Sequence, residues 1–273
     1  MMRMKWQRRA RKILRRMRGR ETDLAKAVAR LERQGRPFPG ALRAVLLEPG
    51  QKHRHRATVA KLLSLGGDDS GVRYLLAQFF EQSDKDELYA TGLALEQLND
   101  RRAVPPFIDA LLGDGNPHRR QAAARALGWI QNPGRPAARA LAQSLMDMDQ
   151  PQAVREEAAE SLAYVGNAET LGPLISALRD ADVRIRFWAV FGLGRSCRGD
   201  AGAIRELKSM LDDGAVPPGN WWSVGREAMA MLGTMERAGT EHRLKFEAEW
   251  RGILGDLEAN EEDRRWALHY GNG

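Results

Sequence analysis

The fold of this chain is decided by one ten-residue stretch, because variants of that stretch recur along the sequence. It reads Val154-Arg155-Glu156-Glu157-Ala158-Ala159-Glu160-Ser161-Leu162-Ala163. Its apolar residues follow the three- and four-residue spacing that brings side chains to one face of a helix. The stretch therefore predicts an amphipathic helix.

Other segments of the chain align with this stretch. They are residues 55–63, 87–95, 119–128, 185–194 and, in a degenerate form, 224–233. The position held by Arg155 recurs at residues 56, 88, 120, 186 and 225, so successive copies lie 31 to 39 residues apart. A second apolar segment of helical spacing lies between some copies, at residues 104–112, 171–178 and 204–211. Turn-forming residues separate the segments, which predicts a repeated pair of helices.

A helix pair of this length cannot bury its apolar stripe alone, but it can do so by stacking on its neighbours. The sequence therefore predicts an all-α fold, an α-solenoid (α-α superhelix) of about six helix pairs. Small residues at Ala123-Ala124 and Ala158-Ala159 would let neighbouring helices approach closely. The predicted organisation is an N-terminal helix or cap over residues 1–35, a repeat solenoid over 36–235 and an atypical C-terminal helical cap over 236–273.

The repeated segments resemble the HEAT-repeat family, in particular the short HEAT-like type of the phycobilin lyase subunits with its V-R-x-x-A-A-x-A-L-G signature. Val154–Ala163 matches that signature nearly throughout, and Arg119–Gly128 departs from it mainly at the first position. The resemblance covers roughly residues 52–235 and implies the fold more than any function. It also implies that Arg120, Arg155 and Arg186 form a ladder that joins adjacent repeats, each with an acid of the loop that precedes it. These acids are Asp114, then Asp147 or Asp149, then Asp180 or Asp182.

The sequence carries none of the motifs on which we would base an enzyme assignment. It has no phosphate-binding glycine loop, no nucleophile elbow, no H-E-x-x-H and no His-Glu dipeptide of the kind that ligates iron in HEAT-like hydroxylases. A lone cysteine, Cys197, excludes a disulfide framework. His53 and His55 are expected to add to the basic surface. We expect no catalytic residue, cofactor, metal or small-molecule substrate.

Charge is distributed unevenly along the chain. Residues 1–62 hold 19 Lys and Arg against 4 Asp and Glu, whereas the remaining residues hold 24 against 32. We call residues 1–20 the basic head, which carries ten basic side chains and no acid. Such asymmetry indicates an anionic binding partner for the head. The predicted polyanion-binding residues are Arg3, Lys5, Arg8, Arg9, Arg11, Lys12, Arg15, Arg16, Arg18 and Arg20.

The basic head also has an apolar stripe at helical spacing, formed by Met2, Trp6, Ala10, Ile13, Leu14 and Met17. Four interpretations of this amphipathic helix remain open. It could lie on an anionic membrane surface, or it could contact nucleic acid through its cations. A mitochondrial presequence is a further reading, although the head lacks Ser and Thr. The last reading is a helix that caps the first repeat.

Aromatic residues occupy unusual positions in the later copies of the repeat. In one copy, three positions that are expected to be solvated hold Glu156, Glu157 and Glu160. In the next copy, the same positions hold Phe187, Trp188 and Phe191. Large rings at solvated positions are typical of a binding surface. The predicted partner-binding residues are Phe187, Trp188, Phe191, Trp221 and Trp222. The alternative is that C-terminal helices over about residues 240–268 cover these rings.

These observations predict a non-enzymatic scaffold or adaptor that binds a protein partner along its concave face, with the basic head docking on an anionic surface. A nucleic-acid- or ribonucleoprotein-associated accessory factor is the alternative. A chaperone that attaches a chromophore to another protein is a third option, implied only by the family resemblance. The expected location is the cytoplasm, at the periphery of a membrane or of a nucleoprotein complex.

Overall fold

A computed structural model describes residues 7, 10, 12, 14, 22–35, 37–47, 53–166, 169–196 and 200–234. Within these ranges the regular structure is entirely helical. The thirteen α-helices of the described part are α1 (Thr22–Arg33), α2 (Phe38–Leu47), α3 (His53–Ser64), α4 (Ser70–Glu81), α5 (Lys85–Leu98), α6 (Val104–Gly113), α7 (Pro117–Trp129), α8 (Arg135–Met146), α9 (Gln152–Val165), α10 (Leu171–Ala177), α11 (Val183–Ser196), α12 (Ala201–Ser209) and α13 (Val224–Thr234).

The repeated motif falls on every second helix. Helices α3, α5, α7, α9, α11 and α13 carry its copies, and each packs on the next to form what we call the motif layer. The helices between them, α2, α4, α6, α8, α10 and α12, form a companion layer that packs on the motif layer. Six helix pairs stacked in two layers confirm the predicted solenoid.

Turn residues end and begin the helices as the sequence predicted. The Asp84 carboxylate accepts hydrogen bonds from the amides of Asp86 and Glu87, both at 3.0 Å, and so caps the start of α5. Asn116 accepts from the amide of His118 at 2.9 Å and caps α7 in the same way. Gly166 ends α9 with a φ of 48°, a left-handed conformation that glycine adopts without the steric cost of a side chain.

Small residues bring the helices of the motif layer into close contact. The paired alanines of α7 and α9, at 123–124 and 158–159, have no exposed surface. At Gly128, a Cβ atom would lie 2.5 Å from the Ser161 Oγ and 2.8 Å from the Ser161 Cα. Since real Cβ contacts do not reach such distances, α7 and α9 approach more closely there than any larger residue would allow.

Two glycines of the motif layer are expected to respond oppositely to alanine. Gly128→Ala should destabilise the protein by about 1–2 kcal/mol, because overpacking against Ser161 exceeds the gain in helix propensity. Gly92→Ala should stabilise it by about 0.5–1 kcal/mol, because its added Cβ would meet atoms of Phe79 and Ala122 only at 3.9 Å or more. The urea midpoints of the two variants, compared with that of the parent, measure these changes in stability. A shift of the same sign in both would contradict the helix packing described here.

The expected arginine ladder joins adjacent repeats at two steps, but the expected partners are wrong: each arginine pairs with an aspartate of the following loop and not of the preceding one. Arg155 donates from Nε to the carbonyl of Leu145 at 2.9 Å and from Nη2 to the carboxylate of Asp180 in the following repeat. Arg186 donates from Nε to Asp213 at 2.8 Å, again one repeat further along. These side chains tie each repeat to the next.

The step at Arg120 departs from this pattern. Its Nε donates to the amide oxygen of Gln150 at 2.9 Å, and its Nη1 donates to the carbonyl of Asp114 at 2.6 Å. The Asp114 carboxylate pairs instead with Arg119, at 2.7 Å. A glutamine of the following loop therefore stands where the other steps have an aspartate, and the expected partner Asp114 offers Arg120 only its backbone carbonyl.

The structure describes part of the basic head and none of the residues after 234. Ala10 and Leu14 of the basic head are buried against the hydrophobic core, as the capping interpretation expected. Lys12 is exposed. The other predicted polyanion-binding residues, Cys197 and the C-terminal cap over 236–273 lie outside the described residues. The expectation that His55 adds to the basic surface is wrong, since α3 buries it against the core. In the part that the structure describes, no helix is both long enough and apolar enough to cross a membrane.

Candidate interaction surface

The motif layer has one side that the companion layer does not cover, and we call this side the motif face. In each motif copy, it is formed by the third, fourth and seventh residues and by the residue four positions after the seventh. Its polar and aromatic residues include Tyr89, Gln121, Arg125, Trp129, Glu156, Glu157, Glu160, Tyr164, Phe187, Trp188, Phe191 and Arg195. Helices α5, α7, α9 and α11 place these side chains in adjacent rows.

The three glutamates of α9 are less solvated than the sequence suggested. Glu156, Glu157 and Glu160 are each half-buried, and the Glu157 side chain is only 12% exposed. The physical reason is that the neighbouring motif helices, α7 and α11, pack along the two sides of α9. A position that points away from the companion layer is therefore still flanked by side chains of α7 and α11.

The guanidinium of Arg125 is the nearby positive charge for three carboxylates, those of Glu96, Glu157 and Glu160. Arg125 Nε lies 3.3 Å from Glu96 Oε1, and Arg125 Nη1 lies 3.8 Å from Glu157 Oε1. The Glu157 Oε2 also accepts a hydrogen bond from Gln121 at 3.4 Å. Burial raises the pKa of Glu160 while Arg125 lowers it. The group is therefore short of positive charge when all three carboxyls are ionised.

The shortage of positive charge has its largest effect on the pKa of Glu157. Burial, followed by repulsion from Glu160, raises the pKa of Glu157 to about 7, although Arg125 and Gln121 act in the opposite direction. Burial also raises the pKa of Glu96, against the attraction of Arg125. Near neutral pH the Glu157 carboxyl is thus divided between its protonated and ionised forms.

Stability is expected to depend on pH through Glu157. Its pKa is higher in the folded chain than the ordinary 4.5, so the folded state binds more protons and the free energy of unfolding falls as pH rises from about 4.5 to 7. Glu157→Gln, which stays neutral, should equal the parent in stability near pH 5 and exceed it by about 2–3 kcal/mol at pH 8. Urea denaturation at the two pH values measures the difference.

Glu156→Gln is the matched control for that experiment. Glu156 lies next to Glu157 in α9, but its carboxylate forms an ion pair with Arg184 at 3.1 Å. Removing this charge should give no gain in stability at pH 8. A pH-independent effect of Glu157→Gln would contradict the account of its surroundings.

Aromatic rings form a continuous row across the same face. Successive ring centroids along Trp129, Tyr164, Phe191, Trp188 and Phe187 are 4.8, 5.8, 5.6 and 5.8 Å apart. Such spacings are those of interacting aromatic pairs. The row therefore links α7, α9 and α11 into one surface.

Arginines stack on rings of the motif face. Arg125 lies over the rings of Tyr89 and Trp129, at 5.2 and 5.5 Å from their centroids. Arg195 lies over Tyr164 and Phe191, at 5.4 Å from each centroid. These are cation–π distances. The face thus already combines guanidinium groups with aromatic rings.

The expectation that the five predicted partner-binding rings stand exposed is wrong for three of them. Phe187, Phe191 and Trp222 are only 7%, 5% and 4% exposed, whereas Trp188 and Trp221 are half-buried. The rings fill the space between neighbouring helices instead of projecting into solvent. Their role in partner binding stays a prediction, now carried mainly by Trp188 in the middle of the row.

The predicted tryptophan pair lies in the loop just before α13, and not in its first turn as the sequence suggested. Trp221 and Trp222 stack on each other with centroids 5.1 Å apart. The Trp222 indole N–H donates to the carboxyl of Glu227, which is buried in α13. Burial raises the pKa of Glu227 to about 8, against the effect of that hydrogen bond. The buried ring of Trp222 therefore has a structural role in this helix pair.

A cleft opens on the motif face between α9, α11 and the loop before α13. It has a volume of about 210 Å³ and is lined by Gln121, Ala153, Glu156, Glu157, Glu160, Arg184, Phe187, Trp188, Pro217, Pro218 and Asn220. Three of these residues are acidic and one is basic. Among the described residues, no group of His, Cys, Asp and Glu is arranged to hold a metal ion.

Sequence reasoning missed residues on and beside this surface, among them Tyr89, Glu96, Gln121, Arg125, Trp129, Tyr164 and Arg195. Glu96 had a detectable signal, because it occupies the position of Gly128 and Gly194 in other copies. A long acidic side chain in place of glycine points to a special role at that position. Trp129 and Tyr164 both follow the aligned motif, one turn after its seventh position, and were not compared.

Comparison with known proteins identifies the repeats. The family model described as HEAT repeats matches residues 72–163 and 138–219, more than half of the chain. No curated protein matches. The crystal structure of an engineered protein has 16% identity and a TM-score of 0.45, covering 85% of this chain and 67% of that one. Human deoxyhypusine hydroxylase in complex with glycerol has 19% identity and a TM-score of 0.30, covering 89% and 97%. The narrower resemblance to phycobilin lyase subunits is not confirmed.

Proposed function

The chain belongs to the HEAT-repeat family, and from this premise we propose that it is a non-enzymatic scaffold that binds a protein partner along its motif face. We take the motif face to be the concave face of the solenoid. The observation that carries the proposal is the joint presence of aromatic rings, arginines and partly buried carboxylates across four helices.

The composition of the motif face supports this proposal. Tyr89 and Trp129 are 49% and 43% exposed and both contact Arg125, so they present aromatic surface and a guanidinium together to solvent. Trp, Tyr and Arg are also the residues most enriched among those that dominate binding energy at protein interfaces. The companion helices α4 and α6 carry a shorter row, Phe80, Phe79 and Phe107, in which Phe79 and Phe107 are fully buried.

The carboxylates add a second line of support. Keeping Glu157 partly ionised in a half-buried position lowers the stability of the fold at neutral pH, and a Gln there would avoid that cost. Residues that lower the stability of a fold without making a compensating structural contact are concentrated at functional sites. A binding role accounts for the acidic group better than a structural one.

The scaffold proposal is tested by affinity capture from the native host with two matched variants. Tyr89→Ser/Trp129→Ser removes two exposed rings from the motif face, and Leu112→Ser/Met146→Ser removes two similarly exposed apolar side chains from the companion layer. The first variant should lose a host protein that the parent and the second variant both retain. Equal retention by all three proteins would reject the motif face as the binding surface.

We further propose that the basic head docks the scaffold on an anionic surface through its charges alone. Ala10 and Leu14 of its apolar stripe are buried in the fold, so they are not free to insert into a lipid bilayer. An electrostatic contact of this kind weakens steeply with salt. This argument favours polyanion binding without membrane insertion.

Neutralising part of the head is expected to weaken polyanion binding at least ~10-fold at physiological salt. The variant is Arg8→Gln, Arg9→Gln, Arg11→Gln and Arg15→Gln in the full chain, and it keeps the apolar stripe. The control neutralises four exposed arginines elsewhere, Arg135, Arg139, Arg179 and Arg205. Titrations with duplex DNA and with phosphatidylserine vesicles measure the effect and compare the two surfaces. An equal loss in both variants would show that total charge, and not the head, determines binding.

A further inference from the structure

We propose that the cleft between α9, α11 and the loop before α13 binds a lysine or arginine side chain that the protein partner presents. This inference rests on the proposed scaffold function and names the chemistry that the motif face recognises. The occupant is a basic segment of the partner, with its cationic group among the carboxylates of α9 and its aliphatic stem against Trp188.

The charge balance of the cleft calls for a cation. Arg184 is engaged with Glu156 at 3.1 Å, which leaves Glu157 and Glu160 without a basic neighbour in the lining. The nearest cation behind them is Arg125, and it is shared with Glu96. One incoming ammonium or guanidinium group would complete the pairing.

An acceptor is available for this group. The Glu160 carboxylate lines the cleft, is half-buried and receives no hydrogen bond from the described residues. Behind it, Glu157 Oε1 also lacks a donor, since Arg125 Nη1 lies 3.8 Å away. A partly buried carboxylate without a donor is costly, so a ligand that donates to Glu160 gains affinity. A lysine or arginine side chain can supply that donor together with the missing charge.

Aromatic rings form the wall of the same cleft. Phe187 and Trp188 lie at 87° to each other with centroids 5.8 Å apart, and both line the cleft. Elsewhere on the motif face, Arg125 and Arg195 already stack on rings at 5.2 to 5.5 Å. An external cation beside Trp188 would repeat an arrangement that this face uses twice.

The size of the cleft fits one long side chain. Its volume of about 210 Å³ is below the roughly 300 Å³ at which small-molecule sites begin. It adjoins a second groove of about 490 Å³, lined by Gln152, Asp182 and Val183, with which it shares Ala153, Glu156, Arg184 and Pro218. This second groove can hold the backbone that flanks the inserted side chain. An extended basic segment therefore fits the site better than a cofactor.

A labelled peptide tests the inference directly. The probe is a fluorescein-labelled peptide with six lysines spaced by Gly and Ser, and its counterpart has six glutamates. Glu157→Gln/Glu160→Gln should weaken binding of the lysine peptide at least tenfold at pH 8, by fluorescence anisotropy. The control Glu81→Gln/Asp109→Asn removes two exposed acids from the companion layer and should change the dissociation constant less than twofold.

The pH dependence supplies a second readout. Glu157 is faced by Glu160 on its own helix, by Gln121 and Arg125 from α7 and by Glu96 from α5, while Arg184 of α11 is held by Glu156. A cation competes with the proton on Glu157, so the parent should bind the peptide more weakly at pH 6 than at pH 8. The double Gln variant should lose this dependence.

Three results would overturn the inference. They are equal binding of the lysine and glutamate peptides by the parent, undiminished binding by Glu157→Gln/Glu160→Gln, and an equal loss in the control variant. Self-association of the parent that disappears when the head arginines are neutralised would assign the cleft to the head of a second copy instead. If the peptide test fails, the scaffold proposal is still tested separately by the capture experiment with Tyr89→Ser/Trp129→Ser, because that variant keeps both glutamates.

Discussion

Ala159→Glu is expected to unfold the middle of the solenoid. Ala159 has no exposed surface, and its helix α9 packs against α7, α8 and α11. A glutamate there would either bury an unpaired carboxyl or force the helices apart, and each outcome costs several kcal/mol, about 3–5 or more in total. Thermal unfolding followed by circular dichroism should show a large fall in the midpoint or a loss of cooperative unfolding.

The matched control for that variant is Ala153→Glu. Ala153 is an exposed residue of the same helix, so the same side chain can remain in water. Its expected effect on stability is within about 0.5 kcal/mol. Equal midpoints for the two variants would contradict the repeat register and the placement of α9.

Arg155→Met is expected to give the second large loss, about 3 kcal/mol. Arg155 is buried, and it bonds the Leu145 carbonyl and the Asp180 carboxylate, whose side chain is also buried. Methionine fills much of the same volume but leaves both acceptors without their donor. The cost is that of an uncompensated buried charge.

Arg139→Met distinguishes this buried pair from an exposed one. Arg139 pairs with Glu169 at 3.2 Å on the surface of the companion layer, and such pairs contribute less than about 1 kcal/mol. Asp180→Asn added to Arg155→Met should recover part of the loss, since the orphaned charge is then removed. A loss in Arg155→Met no larger than that in Arg139→Met would contradict the structural role of the ladder.

The helix pairs and the two layers could be predicted from the sequence because they depend on periodicity. Apolar spacing within Val154–Ala163 and its copies indicates which side of each motif helix faces the companion layer. Small residues such as Ala159 mark the close contacts between helices. These features are local and repeat along the chain, so alignment of the copies reveals them without a structure.

The degree of exposure on the motif face could not be predicted in the same way. Alignment indicates that Glu157 and Phe191 point away from the companion layer, but it gives no measure of how far the neighbouring helices flank them. The spacing of the copies suggests that such positions are solvated, whereas both side chains are largely buried. Burial at these positions depends on the spacing of successive repeats, which is a tertiary property.

The ladder illustrates the same limit at a single step. Arg120 has the motif position of Arg155 and Arg186, which pair with an aspartate of the following loop, and the loop that follows Arg120's repeat contains Asp147 and Asp149. In the folded chain the Arg120 guanidinium meets Gln150 instead. Loop residues one or three apart cannot be distinguished by spacing alone, because the path of the loop decides which of them reaches the arginine.

Photo-crosslinking tests the central claim, that the motif face binds the partner, most directly. Ala153→benzoylphenylalanine places the photoreactive group at the cleft, and Leu112→benzoylphenylalanine places it on an exposed position of the companion layer. In extracts of the native host, the group at position 153 should capture a discrete protein, and excess lysine peptide should suppress that capture. The group at position 112 should capture none. Capture of the same protein from position 112 and not from 153 would contradict the account.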